Sequence, residues 1–168
     1  MSQRTILVSS VLTGPICSIP AFGAGYKYDN QFCFVGTTTH MIDYADGYKT
    51  GNFDVTGIRM GPEGDPFRAI AQHCVGQFTI INDEQEDNKR CEAANAAGDK
   101  VFGMFTRKFD PSKPMAEQPE ASVRILHGTG KFAGITGGEG HSKMTDVISH
   151  TPTQISGCAH SWGTFTTK

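Results

Sequence analysis

The chain has 168 residues, of which 19% are charged and 20 are glycine, and its formal net charge is −2. This length suits one domain with a sizeable core. The low charge and the many glycines favour a compact β protein over a disordered chain or a helical bundle. No cluster of Lys or Arg forms a basic stripe, so a nucleic-acid partner is not expected.

The N-terminal segment has the features of a secretory signal peptide. A short basic start ending at Arg4 is followed by a run without charged residues up to Ala24, in which Ala21 and Gly23 fit the small-x-small pattern of a cleavage site. We therefore predict a signal peptide at 1–24 and a secreted or periplasmic domain at 25–168. A buried N-terminal strand is the alternative. Two prolines interrupt the apolar run, which is short for a bilayer, so no membrane span is predicted.

The rest of the chain consists of short segments rich in Val, Ile, Thr and Phe, most of them separated by Gly, Asn, Asp or Pro. None of them repeats apolar residues with the period of a helix, so we interpret them as β-strands. The eight predicted strands are Gln31–Met41, Gly51–Met60, Phe67–Ile81, Lys89–Ala96, Lys100–Lys108, Ala121–Leu126, Ser142–Ser149 and Gln154–Thr167. About eight strands with short turns fit either a barrel or a sandwich.

Four cysteines remain after cleavage of the leader, which fits two disulfides in an oxidising compartment. If Asn82 and Asp83 form a two-residue hairpin turn, Cys74 and Cys91 face each other at a non-hydrogen-bonded position, where side chains approach most closely. A Cys74–Cys91 bond is then geometrically plausible. A longer polar loop at 83–88 would shift this register.

The other two cysteines bear on how the sheet closes. Cys33 lies in the first predicted strand and Cys158 in the last, and these strands are neighbours in an up-and-down barrel because closure removes both edges. A Cys33–Cys158 bond would fix that seam, although four cysteines allow three connectivities. We therefore predict an all-β fold, a single closed antiparallel β-barrel of about eight strands.

A glycine-rich segment, residues 128–137, reads Gly-Thr-Gly-Lys-Phe-Ala-Gly-Ile-Thr-Gly. It resembles the segment of the allene oxide cyclase and dirigent barrel superfamily in which a Gly-Thr-Gly turn leads to a further Gly before a late strand. The Gly98-Asp-Lys100 turn is similar to the same group. The resemblance implies an eight-stranded barrel with a central cavity, often in a homo-oligomer. It assigns no catalytic residue here, and the segment itself is expected to form a tight structural corner.

Candidate ligand-binding residues are polar side chains within predicted strands. If Phe32 and Phe34 face inward, strand alternation places His40 near one mouth of the cavity. His160 shares a face with Trp162, and this face can supply an aromatic wall with a polar tip. The full set of cavity candidates is His40, Arg59, His73, Asp146, His160 and Trp162. An inward-facing Arg or Asp would need a partner or mark a site, whereas solvated outer faces are the ordinary alternative.

No pattern of metal ligands, nucleotide-binding loop or local nucleophile–base arrangement is present, so we predict neither a metal nor an organic cofactor. Three functions stay open. The barrel binds a small apolar molecule in its cavity; or it is a cofactor-free cyclase or isomerase acting on a flexible apolar substrate; or it is a structural or interaction protein with a filled barrel. The content of the cavity distinguishes them.

Overall fold

The computed structural model describes residues 23–45, 47–110, 112–151 and 153–168. Each strand runs antiparallel to the next, and the first also pairs with the last, so the sheet closes into a barrel. The predicted all-β closed barrel of eight strands is therefore confirmed, and the sandwich is excluded. The strands are β1 (Gly25–Ala45), β2 (Tyr48–Met60), β3 (Ile70–Ile81), β4 (Glu84–Ala94), β5 (Lys100–Phe109), β6 (Ala121–Gly128), β7 (Ile135–His150) and β8 (Gln154–Thr167).

The strand boundaries differ from the predicted ones where polar or glycine-rich sequence forms strand. β7 begins at Ile135 and so includes the last three of the ten residues of the glycine-rich segment. A Cβ atom at Gly138 would lie 2.5 Å from the Cβ of Phe165, so glycine permits this close approach between β7 and β8. The predicted corner is confined to the preceding residues, where Gly130 and Gly134 have φ of 58° and 84°.

The β3–β4 hairpin has the predicted two-residue turn. Asn82 and Asp83 have φ of 50° and 69°, the left-handed values that a type I′ turn requires at both central positions. The register that follows pairs Ile81 with Glu84 and Cys74 with Cys91, and the two cysteines form a disulfide. The prediction from the hairpin register is confirmed, and the alternative of a loop at 83–88 is wrong because β4 starts at Glu84.

A second disulfide joins Cys33 of β1 to Cys158 of β8, and these residues are partners in the ladder that closes the barrel. The predicted seam bond is therefore confirmed. Both neighbours of Cys158, Gly157 and Ala159, are buried inside the barrel. Because side chains alternate along a strand, this disulfide lies on the outer face, whereas Cys74 and Cys91 are buried in the interior.

One end of the barrel is closed by packed aromatic rings. Phe67 belongs to the loop between β2 and β3 and is 4% exposed. Its ring centroid lies 5.1, 5.6 and 5.4 Å from the ring centroids of Tyr28, Phe132 and Phe165. Asp65 fixes this loop, because its carboxylate accepts hydrogen bonds of 2.7 Å from the backbone N–H groups of Phe67 and of Asp29 in β1. Phe67 therefore acts as a plug.

Above the plug, a second apolar layer fills the middle of the barrel. It consists of Phe32, Val55, Cys74, Cys91, Phe105 and Val123, with Phe34 and Phe53 packed against it. The interior beyond this layer is not filled by side chains.

Most of the predicted signal peptide, residues 1–22, lies outside the described residues. The barrel begins with β1 at Gly25, the first residue of the predicted mature domain. Among the residues that the structure describes, no helix is long and apolar enough to cross a membrane. The two disulfides fit an oxidising compartment, as the even cysteine count predicts.

Candidate functional site

A cavity of about 310 Å³ occupies the end of the barrel opposite the Phe67 plug. Along β1 the order is Tyr28 at the plug, Phe32 in the middle layer and Thr38 at the cavity, so the three levels follow one another up the barrel axis. Most of the wall is apolar. Its apolar members are Phe34, Met41, Phe53, Val55, Phe78, Ile80, Phe109, Met115, Met144 and Ile155.

A β-bulge in β1 decides which side chains enter the mouth of this cavity. The register of β1 against β2 shifts between Thr38 and His40, which leaves Thr39 as the extra residue. Thr38 and Met41 line the cavity as a result, whereas His40 is exposed and does not line it. The expectation that His40 lies at the mouth is wrong because uninterrupted alternation was assumed.

Three charged side chains share the cavity wall. In β4, Asp87 and Lys89 lie two residues apart on the face that carries Cys91, and Arg107 of β5 is the ladder partner of Asp87. Two cations and one carboxylate thus face a mostly apolar space. His150 and two glutamines, Gln85 and Gln154, complete its polar lining.

Within the part of the chain that the structure describes, no direct ion pair neutralises these three charges. The Asp87 carboxylate accepts a hydrogen bond of 2.9 Å from Gln85 Nε2. Arg107 donates from Nη2 to the Ser142 carbonyl oxygen at 3.4 Å, and its buried Nε has no hydrogen-bond partner among the described residues. Lys89 Nζ lies 5.2 Å from the centroid of the Phe53 ring. The Lys89 amine forms no ion pair with a carboxylate of the described residues, so a ligand in the cavity meets N–H groups there that no ion pair occupies.

Burial raises the pKa of the Asp87 carboxyl, and the charge of Lys89, the hydrogen bond from Gln85 and the charge of Arg107 oppose that rise. The native state therefore holds this proton more tightly than the unfolded chain, and the protein loses stability as the pH rises from about 3.9, the ordinary Asp value, through the raised pKa.

From this shift we expect Asp87→Asn to be more stable relative to the wild-type protein at pH 7 than at pH 4. Urea unfolding at the two pH values measures the change. Asp146→Asn, which removes an exposed carboxyl from the outer face, controls for the loss of one charge. If the difference in unfolding free energy between Asp87→Asn and the wild-type protein is the same at both pH values, the argument that burial raises the pKa of Asp87 is contradicted.

Arg59 is the one sequence candidate that faces the interior, but it lies below the cavity. Its Nε donates to Gln72 Oε1 at 2.6 Å and its Nη1 to Asn30 Oδ1 at 2.7 Å, and its guanidinium lies over the rings of Phe32 and Phe105. Burial lowers the pKa of Arg59 to about 10. This group borders a small space of about 30 Å³ and not the main cavity.

The other candidates lie on the outer face. His73 contacts the Asp54 carboxylate at 2.9 Å, and His160 contacts Asp29 at 2.7 Å and stacks on Trp162 with centroids 4.8 Å apart. Asp146 is exposed. The expected cavity positions of these residues are wrong. In β8 the inward positions carry small side chains such as Ala159 and Ser161, so His160 and Trp162 point outward.

Sequence reasoning missed Asp87, Lys89 and Arg107 as cavity residues. A signal was nevertheless present, because the hairpin register that pairs Cys74 with Cys91 also fixes the face of every second residue before Cys91. Lys89 and Asp87 stand at these positions. The polar composition of 83–88 favoured a loop and hid the alternation.

A wider depression of about 570 Å³ lies on the outer surface beside the bulge. Apart from Phe53 and Val75, its lining is polar or small: Thr39, Asn52, Asp54, Gly76, Gln77, Asn88 and Arg90. An open surface depression cannot remove a ligand from water as an interior cavity does, so the interior space is the stronger candidate site.

No family model, curated protein or solved structure matches the chain. Within the described ranges, no group of three His, Cys, Asp or Glu side chains is arranged to hold a metal ion. The resemblance of residues 128–137 to the allene oxide cyclase and dirigent superfamily stays a prediction, and the case for function depends on the cavity itself.

Proposed function

We propose that this protein is an exported barrel that binds one small apolar molecule in the cavity opposite the Phe67 plug. The observation that carries the proposal is the unfilled space of about 310 Å³, bounded by aromatic and aliphatic side chains in a barrel that is packed below it. Ligand sites are typically apolar cavities of about 300 to 1,000 Å³ with few polar groups. A filled structural barrel has no need of such a space.

The polar part of the wall gives the ligand an orientation. Lys89 and Arg107 stand beside Asp87 on two neighbouring strands, so a ligand places its apolar part against the phenylalanines and its polar end at this group.

Export is supported by the two disulfides and by the predicted signal peptide at 1–24. A homo-oligomer, which the family resemblance implies, is part of the proposal.

A cofactor-free cyclase or isomerase is the second candidate. It is favoured by the raised pKa of the Asp87 carboxyl, since burial leaves this group protonated in a larger fraction of molecules than an ordinary exposed carboxyl, and the protonated form can donate to a bound substrate. The same cavity serves both functions, so binding is the first property to test.

Binding is measured with N-phenyl-1-naphthylamine, an uncharged dye that fluoresces in apolar surroundings, and with hexanol as a competitor. We expect saturable fluorescence that hexanol reverses. Thr38→Trp places an indole in the cavity mouth and is expected to weaken dye binding at least about tenfold, or about 1.4 kcal/mol. Thr39→Trp places the same ring on the outer face and is the matched control.

Equal dye affinity in Thr38→Trp and Thr39→Trp would place the dye outside the cavity and refute the proposal. Far-UV circular dichroism and thermal unfolding of both variants establish that each retains the fold. The two positions are adjacent in β1 and receive the same side chain, so a general effect of added bulk on the strand affects both.

A further inference from the structure

We propose that Lys89 is a nucleophilic amine that captures the carbonyl group of a small apolar aldehyde or ketone in the cavity, forming an imine. This inference rests on the proposed binding function and specifies the chemical class of its ligand. The juxtaposition that supports it is an amine without an ion-pair partner, next to Arg107 and a buried carboxyl, in an apolar space large enough for a small molecule.

The position of Lys89 makes its amine available to a ligand. The side chain borders the main cavity, and it also borders a small space of about 40 Å³ beneath it. Within the described residues, no Asp or Glu oxygen lies within 4.0 Å of Nζ, which instead lies over the Phe53 ring. The amine is therefore not occupied by a salt bridge.

The surroundings of Lys89 favour the neutral amine. Burial lowers the pKa of Lys89, the charge of Asp87 opposes the shift, and the charge of Arg107 adds to it. Among the described residues, the other titratable side chain on the cavity wall is His150, at the end of β7. An exposed lysine of ordinary pKa is neutral in only about one molecule in 2,500 at pH 7. A desolvated lysine beside another cation is a recognised way of producing a nucleophilic amine.

The capture step needs only the groups present. The Nζ lone pair adds to the carbonyl carbon, and transfer of a proton from nitrogen to oxygen gives a carbinolamine. The hydroxyl group takes up a proton and leaves as water, and the Asp87 carboxyl, two residues before Lys89 on the same face and with a pKa raised by burial, can deliver that proton. The products are an iminium ion, water and the Asp87 carboxylate, so charge and atoms balance.

The apolar wall selects the rest of the ligand. Phe34, Phe53, Phe78 and Phe109 surround the space into which the amine opens, and they favour a hydrocarbon chain or ring over a sugar or an amino acid. An aldehyde such as hexanal has this character, with one polar atom to meet Lys89 and Arg107.

The test is reductive trapping with hexanal and sodium cyanoborohydride at pH 7, followed by peptide mapping by mass spectrometry. The reagent reduces an imine to a stable secondary amine, so the hexyl group marks the reacting lysine. Lys108 is the internal control, because it is exposed on the outer face of β5 next to Arg107. We expect the Lys89 adduct to form at least about tenfold faster than the Lys108 adduct, since more of the Lys89 amine is neutral.

Hexanol distinguishes failure of this inference from failure of the binding proposal. Rapid labelling of Lys89 that hexanol slows, with Lys108 unaffected, supports both. If hexanol displaces the dye but Lys89 is labelled no faster than Lys108, the imine is overturned and binding stands. If the dye does not bind and Lys89 is not labelled preferentially, both are overturned.

Discussion

Reduction of the Cys33–Cys158 disulfide is expected to lower the free energy of unfolding by about 5 kcal/mol, the value that the chain-entropy model gives for a loop of this length. The two residues are 125 positions apart, so the bond restricts most of the unfolded domain. The Cys74–Cys91 bond spans 17 positions, and the same model gives about 3 kcal/mol. The seam bond is thus expected to stabilise the protein more.

Comparing alanine variants directly would mix this effect with packing, because Cys74 and Cys91 are buried whereas the seam pair lies on the outer face. Each bond is therefore compared oxidised and reduced in a background that lacks the other pair, Cys74→Ala/Cys91→Ala or Cys33→Ala/Cys158→Ala. Guanidinium unfolding gives both differences. If reduction of the Cys74–Cys91 bond lowers the unfolding free energy more than reduction of the Cys33–Cys158 bond, loop length does not determine how much each disulfide stabilises the protein.

Phe67→Ala is expected to reduce the free energy of unfolding by about 3–5 kcal/mol, the cost of truncating a fully packed core phenylalanine. Phe67 is 4% exposed, and its ring meets those of Tyr28, Phe132 and Phe165. These rings come from three different parts of the chain, so the space left by the truncation cannot be filled by one local movement.

Arg68→Ala is the matched control for the plug, since Arg68 is the next residue in the same loop and is exposed. It is expected to change the unfolding free energy by less than about 0.5 kcal/mol. Urea unfolding of both variants measures the two changes in unfolding free energy. A loss below about 1 kcal/mol in Phe67→Ala would mean that the end of the barrel is not held by this ring.

The architecture of the barrel was predictable because two cysteine pairs tied sequence positions to neighbouring strands. The turn at Asn82 and Asp83 set the register of one hairpin, and Cys33 and Cys158 joined the first strand to the last. The residues at which the strands begin and end were harder to predict from the sequence. The polar residues after Asp83 and the glycines after Ile135 have low strand propensity, and only pairing with their neighbours makes them strand.

The cavity residues were harder to predict, because a one-residue change reverses the face of a strand. The bulge at Thr39 moved His40 outside, and nothing in the composition of β1 marks it. For β8, the sequence shows which residues share a face but not which face is inside. Arg59 was named as a cavity candidate, but nothing in the sequence distinguished an inward-facing charge from one on a solvated outer face, and Lys89 resembled an ordinary surface lysine at the start of a predicted strand.

The order of strands around the barrel is the same as their order along the chain, and this has a consequence for folding. Seven of the eight ladders join consecutive strands and can form from local hairpins, whose loop-closure entropy is small. Only the ladder between β1 and β8 brings distant residues together. We expect the late, slow event in folding to be the meeting of these two strands, with an open, twisted sheet that exposes two edges until then.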